Sequence, residues 1–242
     1  MISPVKSTDL TYYNFTNTPL GTQIVKNISA DTLSQTKSEF PWVVNPIITS
    51  ALDELKKVNF NAEDVKYLES LGLEIPFKSG EEAISFIKKS NLRIGFADTG
   101  GEGIHAQYDY KENKILLNKK YQNTSDTADV LALAEAILHE SGHAKDNDEN
   151  SSVQEELNNL GMGALAHRFF EKKYPDTFNH ANTLIVNDGV NVYARLFFDA
   201  DADKKALIKR VRQKYGLLPA GDMVHKPSVL ANCVKNGKDK LS

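Results

Sequence analysis

The sequence predicts an α+β fold: a small antiparallel or mixed sheet, two long helices after it, and a mainly helical region before it. Three observations point there. Apolar residues recur at helical spacing across residues 47–90. Short alternating stretches, separated by turn residues, fill 92–117. From residue 124 onward helical spacing returns in two long runs.

Residues 1–45 are rich in Thr, Ser, Asn and Pro and show no helical period, so they read as an irregular arm. Three short helices are expected at 47–58, 62–71 and 80–90. Gly72 stops the second, and Ala83, Ile84, Phe86 and Ile87 form the apolar face of the third. A strand follows at 92–97, then a glycine-containing turn. Residues 104–110 and 114–117 read as a hairpin closed by Lys111, Glu112 and Asn113. The next helix opens at Thr124, Ser125 or Thr127, with Asp126 and Asp129 in its first turn. Its stripe is Val130, Leu133, Ala134, Ile137 and Leu138. A polar loop at 145–150 leads to a second long helix at 151–174, stopped by Pro175. An apolar stretch at 193–198, a charged helix at 203–215 and a loose tail complete the chain. The division expected is an N-terminal region at 1–90 and a second domain at 91–242, with a helical C-terminal part.

Composition narrows the function classes. The net charge of −3 is too small for nucleic-acid or membrane binding by bulk electrostatics, so neither partner is expected. No run approaches the ~18 apolar residues of a membrane span. The first six residues carry no basic segment leading into an apolar run. No signal peptide is therefore expected, and a cytoplasmic or unconventionally exported protein is. Cys233 is the single cysteine, which leaves no intrachain disulfide.

The chemistry is concentrated in His139-Glu140-Ser141-Gly142-His143. Two histidines four residues apart on a helix share one face, so both imidazoles can reach one Zn²⁺. Glu140 stands beside the first, where its carboxylate can activate a metal-bound water. The pattern is that of zinc metalloproteases. Such a centre needs a third protein ligand and an open position. The glycine and histidine of a metzincin continuation are absent, their places being held by Asp146 and Glu149. Asp146 and Asp148 are available to an aspartate-type site but lack its motif.

The run from Ala136 to Ala144, followed by Glu155-Glu156-Leu157-Asn158-Asn159, resembles the core of small gluzincins, distant relatives of thermolysin. Residues 108–118 resemble the hairpin that rims the cleft in such proteins, where an edge strand binds an extended peptide. The likeness covers about residues 92–175. It implies a zincin-like catalytic core with an active-site helix and a glutamate helix. It also implies a zinc metalloendopeptidase acting on a peptide or protein substrate through a zinc-bound water activated by Glu140. The ligands are then His139, His143 and Glu155, with Asn159 behind a ligand histidine. Glu156 is the alternative third ligand if the helix phase differs by one residue. A Ser151 or Ser152 cap with Gln154 or Glu155 as its partner is the structural reading of the same glutamate. Candidates to stabilise the oxyanion are Tyr193, His180 and His225, with Tyr174 behind them. His105 could line the cleft, whereas His167 falls about 120° around the helix from Glu155 and is no ligand. Cys233 suggests a latency thiolate. The alternative functions are an inactive zinc-bound scaffold, a peptide-binding protein and a host-directed effector peptidase.

Overall fold

The computed structural model describes residues 45–101, 103–179, 189–198 and 204–237. The arm expected at 1–45 therefore lies almost wholly outside the described residues, as does His180. The described chain is α+β, with nine helices and one three-stranded sheet. Among the described residues no helix is long and apolar enough to cross a membrane.

Three helices lead in: α1 (Pro46–Lys56), α2 (Ala62–Ser70) and α3 (Gly80–Lys89). Asn45, Asn61 and Ser79 cap them, each side chain accepting main-chain N–H groups of the first turn. The α1 helix buries Ile48, Ala51, Leu52 and Leu55, one face at helical spacing, and packs along the helix that carries the histidines.

The sheet comprises β1 (Arg93–Ala97), β2 (Ala106–Asp109) and β3 (Lys114–Asn118), in the order β1-β3-β2. β1 runs parallel to β3 and β2 antiparallel to it, so the sheet is mixed and β2 is an edge. The hairpin turn is where the sequence puts it. Asp109 Oδ1 accepts the N–H groups of Lys111 and Glu112, and Asn113 takes the left-handed conformation at φ 48°.

Two long helices form the centre, α4 (Thr127–Asp146) and α5 (Val153–Lys173). Asp126 caps α4 by accepting from Ala128 N–H, in place of the Thr or Ser expected there. Asn147, left-handed at φ 55°, ends α4 with its N–H on the His143 carbonyl. Both helices are buried on nearly every side: α4 between α1, the sheet and α5, and α5 between α4 and a later helix. A one-sided stripe understates such enclosure. After Pro175 comes a short α6 (Pro175–Asn179), then α7 (Gly189–Phe198), α8 (Lys204–Tyr215) and α9 (Val229–Asn236). Pro175 thus both ends α5 and opens the next helix, where its fixed φ is well suited. The loose tail is corrected by α9, which Ser228 caps and which buries Leu230, Ala231, Cys233 and Val234. One hydrophobic cluster runs from Ile48 and Leu55 through Leu133 and Ile137 to Met162, Phe197 and Val234.

Two hydrogen-bonded carboxylate–imidazole pairs join α4 to α5. The deeper is Glu135 Oε1 with His167 Nδ1 at 3.0 Å, both side chains 3% exposed. Burial would lower His167, but the Glu135 carboxylate beside it raises it above its ordinary range. Cutting one member of such a pair strands the other in the core. Glu135→Ala is expected to lower the unfolding free energy in urea by about 3 kcal/mol. A loss under about 1 kcal/mol would mean that the pair does not hold the helices together.

Candidate metal centre

His139 and His143 lie one turn apart on α4, and their Nε2 atoms are 3.2 Å apart. Facing them from α5 is Glu156, with carboxylate oxygens 3.6 Å from His139 Nε2 and 3.7 Å from His143 Nε2. The three side chains are 10–17% exposed. They converge within reach of one ion. Glu156 Oε2 is buried and has no hydrogen-bond partner. A native protein seldom leaves a buried carboxylate oxygen unsatisfied. A cation among two imidazoles and a carboxylate would satisfy it, with the donor set and openness of a catalytic zinc centre.

Glu155, expected as the third ligand, faces elsewhere. Ser152 caps α5 and its hydroxyl accepts from Glu155 N–H, while Glu155 Oε2 accepts from Ser152 N–H. This capping box requires the third helical residue to reach back over the helix start. Glu155 Oε1 then meets His143 Nδ1 at 2.5 Å. With a proton on Nδ1, directed at Glu155, the Nε2 lone pair is free for an ion. The alternative residue, Glu156, lies on the Nε2 side. Its backbone is fixed in turn by the connection after α8, because Val153 and Gln154 donate to the Pro219 and Ala220 carbonyls.

Asn159, expected behind a ligand histidine, makes no hydrogen bond through either side-chain polar atom. It packs against Gly142 instead. A Cβ at residue 142 would lie 2.0 Å from Asn159 Oδ1, so the glycine before the second histidine permits the close approach of α4 and α5. The role expected of Asn159 is performed by Glu155.

Glu140, half-buried, points to the sheet, where its Oε2 accepts the Tyr108 main-chain N–H at 2.8 Å. Just before β2 the His105 carbonyl accepts from Asn118 N–H. By antiparallel alternation, Ala106 and Tyr108 turn their main-chain groups away from β3, toward the open edge.

The electrostatics of the centre are those of a site short of positive charge. Burial works against the proton on His143, but the Glu155 hydrogen bond and the charges of Glu156 and Glu140 push its pKa up to about 10. Burial would raise Glu156, yet the neighbouring imidazoles of His139 and His143, with Lys214, hold it down at about 2. Tyr215, at the end of α8, is set far above the usual phenol range by burial and then by the charges of Glu156 and Glu140. Burial raises Tyr193 as well; Arg210 lowers it and Glu156 raises it. Both phenols therefore keep their protons beside the centre.

Tyr193 is thus brought to Glu156. Tyr215, which no sequence motif singles out, joins it there. Its signal is that it continues the buried face of α8 set by Ile208 and Val211. Other candidates lie apart. Tyr174 donates to Glu54, and His105 pairs with Tyr121. His225 sits against Asp146 and Asp222. Cys233 is buried in α9 and is not among the converging ligand atoms.

Compared with known proteins, the chain matches no family model, no curated protein and no solved structure.

The two glutamates should separate in zinc affinity. Glu155→Gln is expected to weaken Zn²⁺ binding about 10–100-fold, as losses behind a ligand do. Glu156→Gln should weaken it further than that in the same competition titration; equal effects would contradict the placement. Below pH ~10 an ion must displace the His143 proton, so affinity should rise as pH rises toward that value. Calorimetry in buffers of different ionisation enthalpy should find about one proton released per Zn²⁺ near pH 7.5.

Proposed function

We propose that this chain is a zinc-dependent metallopeptidase of the gluzincin type, with His139, His143 and Glu156 as its ligands and Glu140 as its general base. One observation carries this reading: the two Nε2 atoms and the Glu156 carboxylate, whose Oε2 has no hydrogen-bond partner, converge, with Glu140 next to the first ligand. A bound Zn²⁺ would supply Lewis acidity and make water acidic enough to attack near neutral pH.

The chain's own residues supply the rest. Glu140 takes a proton from the attacking water and returns it to the leaving amine. Its bond to Tyr108 N–H holds that carboxylate at the rim of β2, between helix and edge strand. The outward main-chain groups of Ala106 and the Tyr108 carbonyl offer an extended peptide a strand to pair with. Tyr215 and Tyr193, kept protonated, present O–H groups on the Glu156 side of the centre. The substrate class that fits is an unfolded peptide or an extended loop of a protein. A folded surface could not add to the edge.

Glu140→Gln keeps the shape of the side chain and removes the base. The expected result is a folded protein that retains its zinc and cleaves a peptide library about 10²–10⁴-fold more slowly. Undiminished cleavage by that variant would rule the mechanism out.

A further inference from the structure

We propose that Asp146, Asp222 and His225 form a second metal site, for a divalent first-row transition ion such as Zn²⁺, which fastens the connection at 216–228 to the end of α4. The three residues come from two places. Asp146 is the last residue of α4, one turn beyond His143, and Asp222 and His225 belong to the stretch between α8 and α9. Their ligand atoms all lie within 4.8 Å of one another.

The distances fit an ion better than a hydrogen-bonded triad. His225 Nδ1 is 3.2 Å from Asp146 Oδ2 and 3.5 Å from Asp222 Oδ1. Ligands bound at about 2.0–2.1 Å around a tetrahedral ion stand about 3.3–3.4 Å apart. Despite these short separations, His225 Nδ1, Asp146 Oδ2 and Asp222 Oδ2 are all buried without a hydrogen-bond partner. The three groups therefore lie close together with hydrogen-bonding capacity left unused. The carboxylate side chains are little exposed, Asp146 at 6% and Asp222 at 7%. Leaving such groups unsatisfied is costly.

The surroundings favour a cation. The charges of Glu155, Asp148 and Asp222 all bear on Asp146, with His225 as the opposing partner. A cavity of about 310 Å³ reaches the cluster and is lined by Asp146, His225, Glu155, the unpartnered Asn159 and Lys145, whose ammonium is held on the Pro76 carbonyl. An imidazole in the set disfavours the hard ions Ca²⁺ and Mg²⁺ and suits zinc or its neighbours. The loop is already folded around the Asp222 carboxylate, whose Oδ1 accepts the N–H groups of Val224 and His225.

The ion would brace the first centre from behind. In the same connection the Pro219 and Ala220 carbonyls accept from the start of α5, and Ser228 N–H binds Gln154 Oε1. It also follows directly on Tyr215. Fixing it to α4 holds the phase of α5 and the end of α8 together.

The deciding experiment is zinc stoichiometry of the full chain after chelation, reloading and dialysis. Wild type should hold two equivalents and H139Q/H143Q one, and that remaining ion should raise the melting temperature of H139Q/H143Q. Adding H225Q to H139Q/H143Q should abolish both the last equivalent and the zinc-dependent shift. No zinc in a folded H139Q/H143Q chain overturns the proposal, and so does an ion there that survives H225Q. If the added substitution prevents folding, the count in H139Q/H143Q decides alone. The two sites fail separately: one equivalent in wild type, kept in H139Q/H143Q and lost in H225Q, supports this site and removes the peptidase centre.

Discussion

The carboxylate of Glu155 ties the start of α5 to the helix that carries both histidines, and the geometry of the centre follows from it. One oxygen accepts the N–H of Ser152 and the other meets His143 Nδ1. The first contact sets the phase of α5 at its cap. The second fixes which ring nitrogen of His143 faces the cleft. Since a helix turns about 100° per residue, Glu156 is then carried around to the Nε2 side. Gly142 permits the close approach, because any side chain there would strike Asn159.

Around this helix pair the molecule supplies an open side and a closed side. On the open side are the half-buried histidines, Glu140 and the edge of β2, joined through Tyr108 N–H. On the closed side α7 and α8 bring the buried Tyr193 and the half-buried Tyr215 toward Glu156, and the connection to α9 seals the start of α5. Without a cation, the buried Glu156 carboxylate is stabilised by the imidazoles, Lys214 and the Tyr215 hydroxyl, and its Oε2 has no hydrogen-bond partner. That imbalance is the physical reason to expect a cation beside Glu156.

Much of this is legible in the sequence, and the exceptions have specific causes. The hairpin, the strand before it and both long helices are marked by local periodicity and turn chemistry, which act over a few residues. The histidine pair is legible because both side chains sit on one helix at fixed spacing. The carboxylate that faces the pair is not, because choosing between Glu155 and Glu156 requires the helix phase to within one residue. In the sequence, the capping box that sets this phase competes with metal binding as an explanation for Glu155; in the structure it operates together with the contact to His143. Tyr215 and the Asp146–His225 contact depend on how the chain after residue 200 folds back across α5, which no local pattern encodes. The tail reads as loose because the short helix α9 owes its stability to packing against α5 and α8.

The most direct measurement is anomalous diffraction at the zinc edge from crystals of the zinc-loaded protein. The expected result is a peak about 2.0–2.2 Å from His139 Nε2, His143 Nε2 and a Glu156 oxygen, with Glu155 on His143 Nδ1. A peak bound by Glu155 in place of Glu156, or no peak between the histidines, would contradict it.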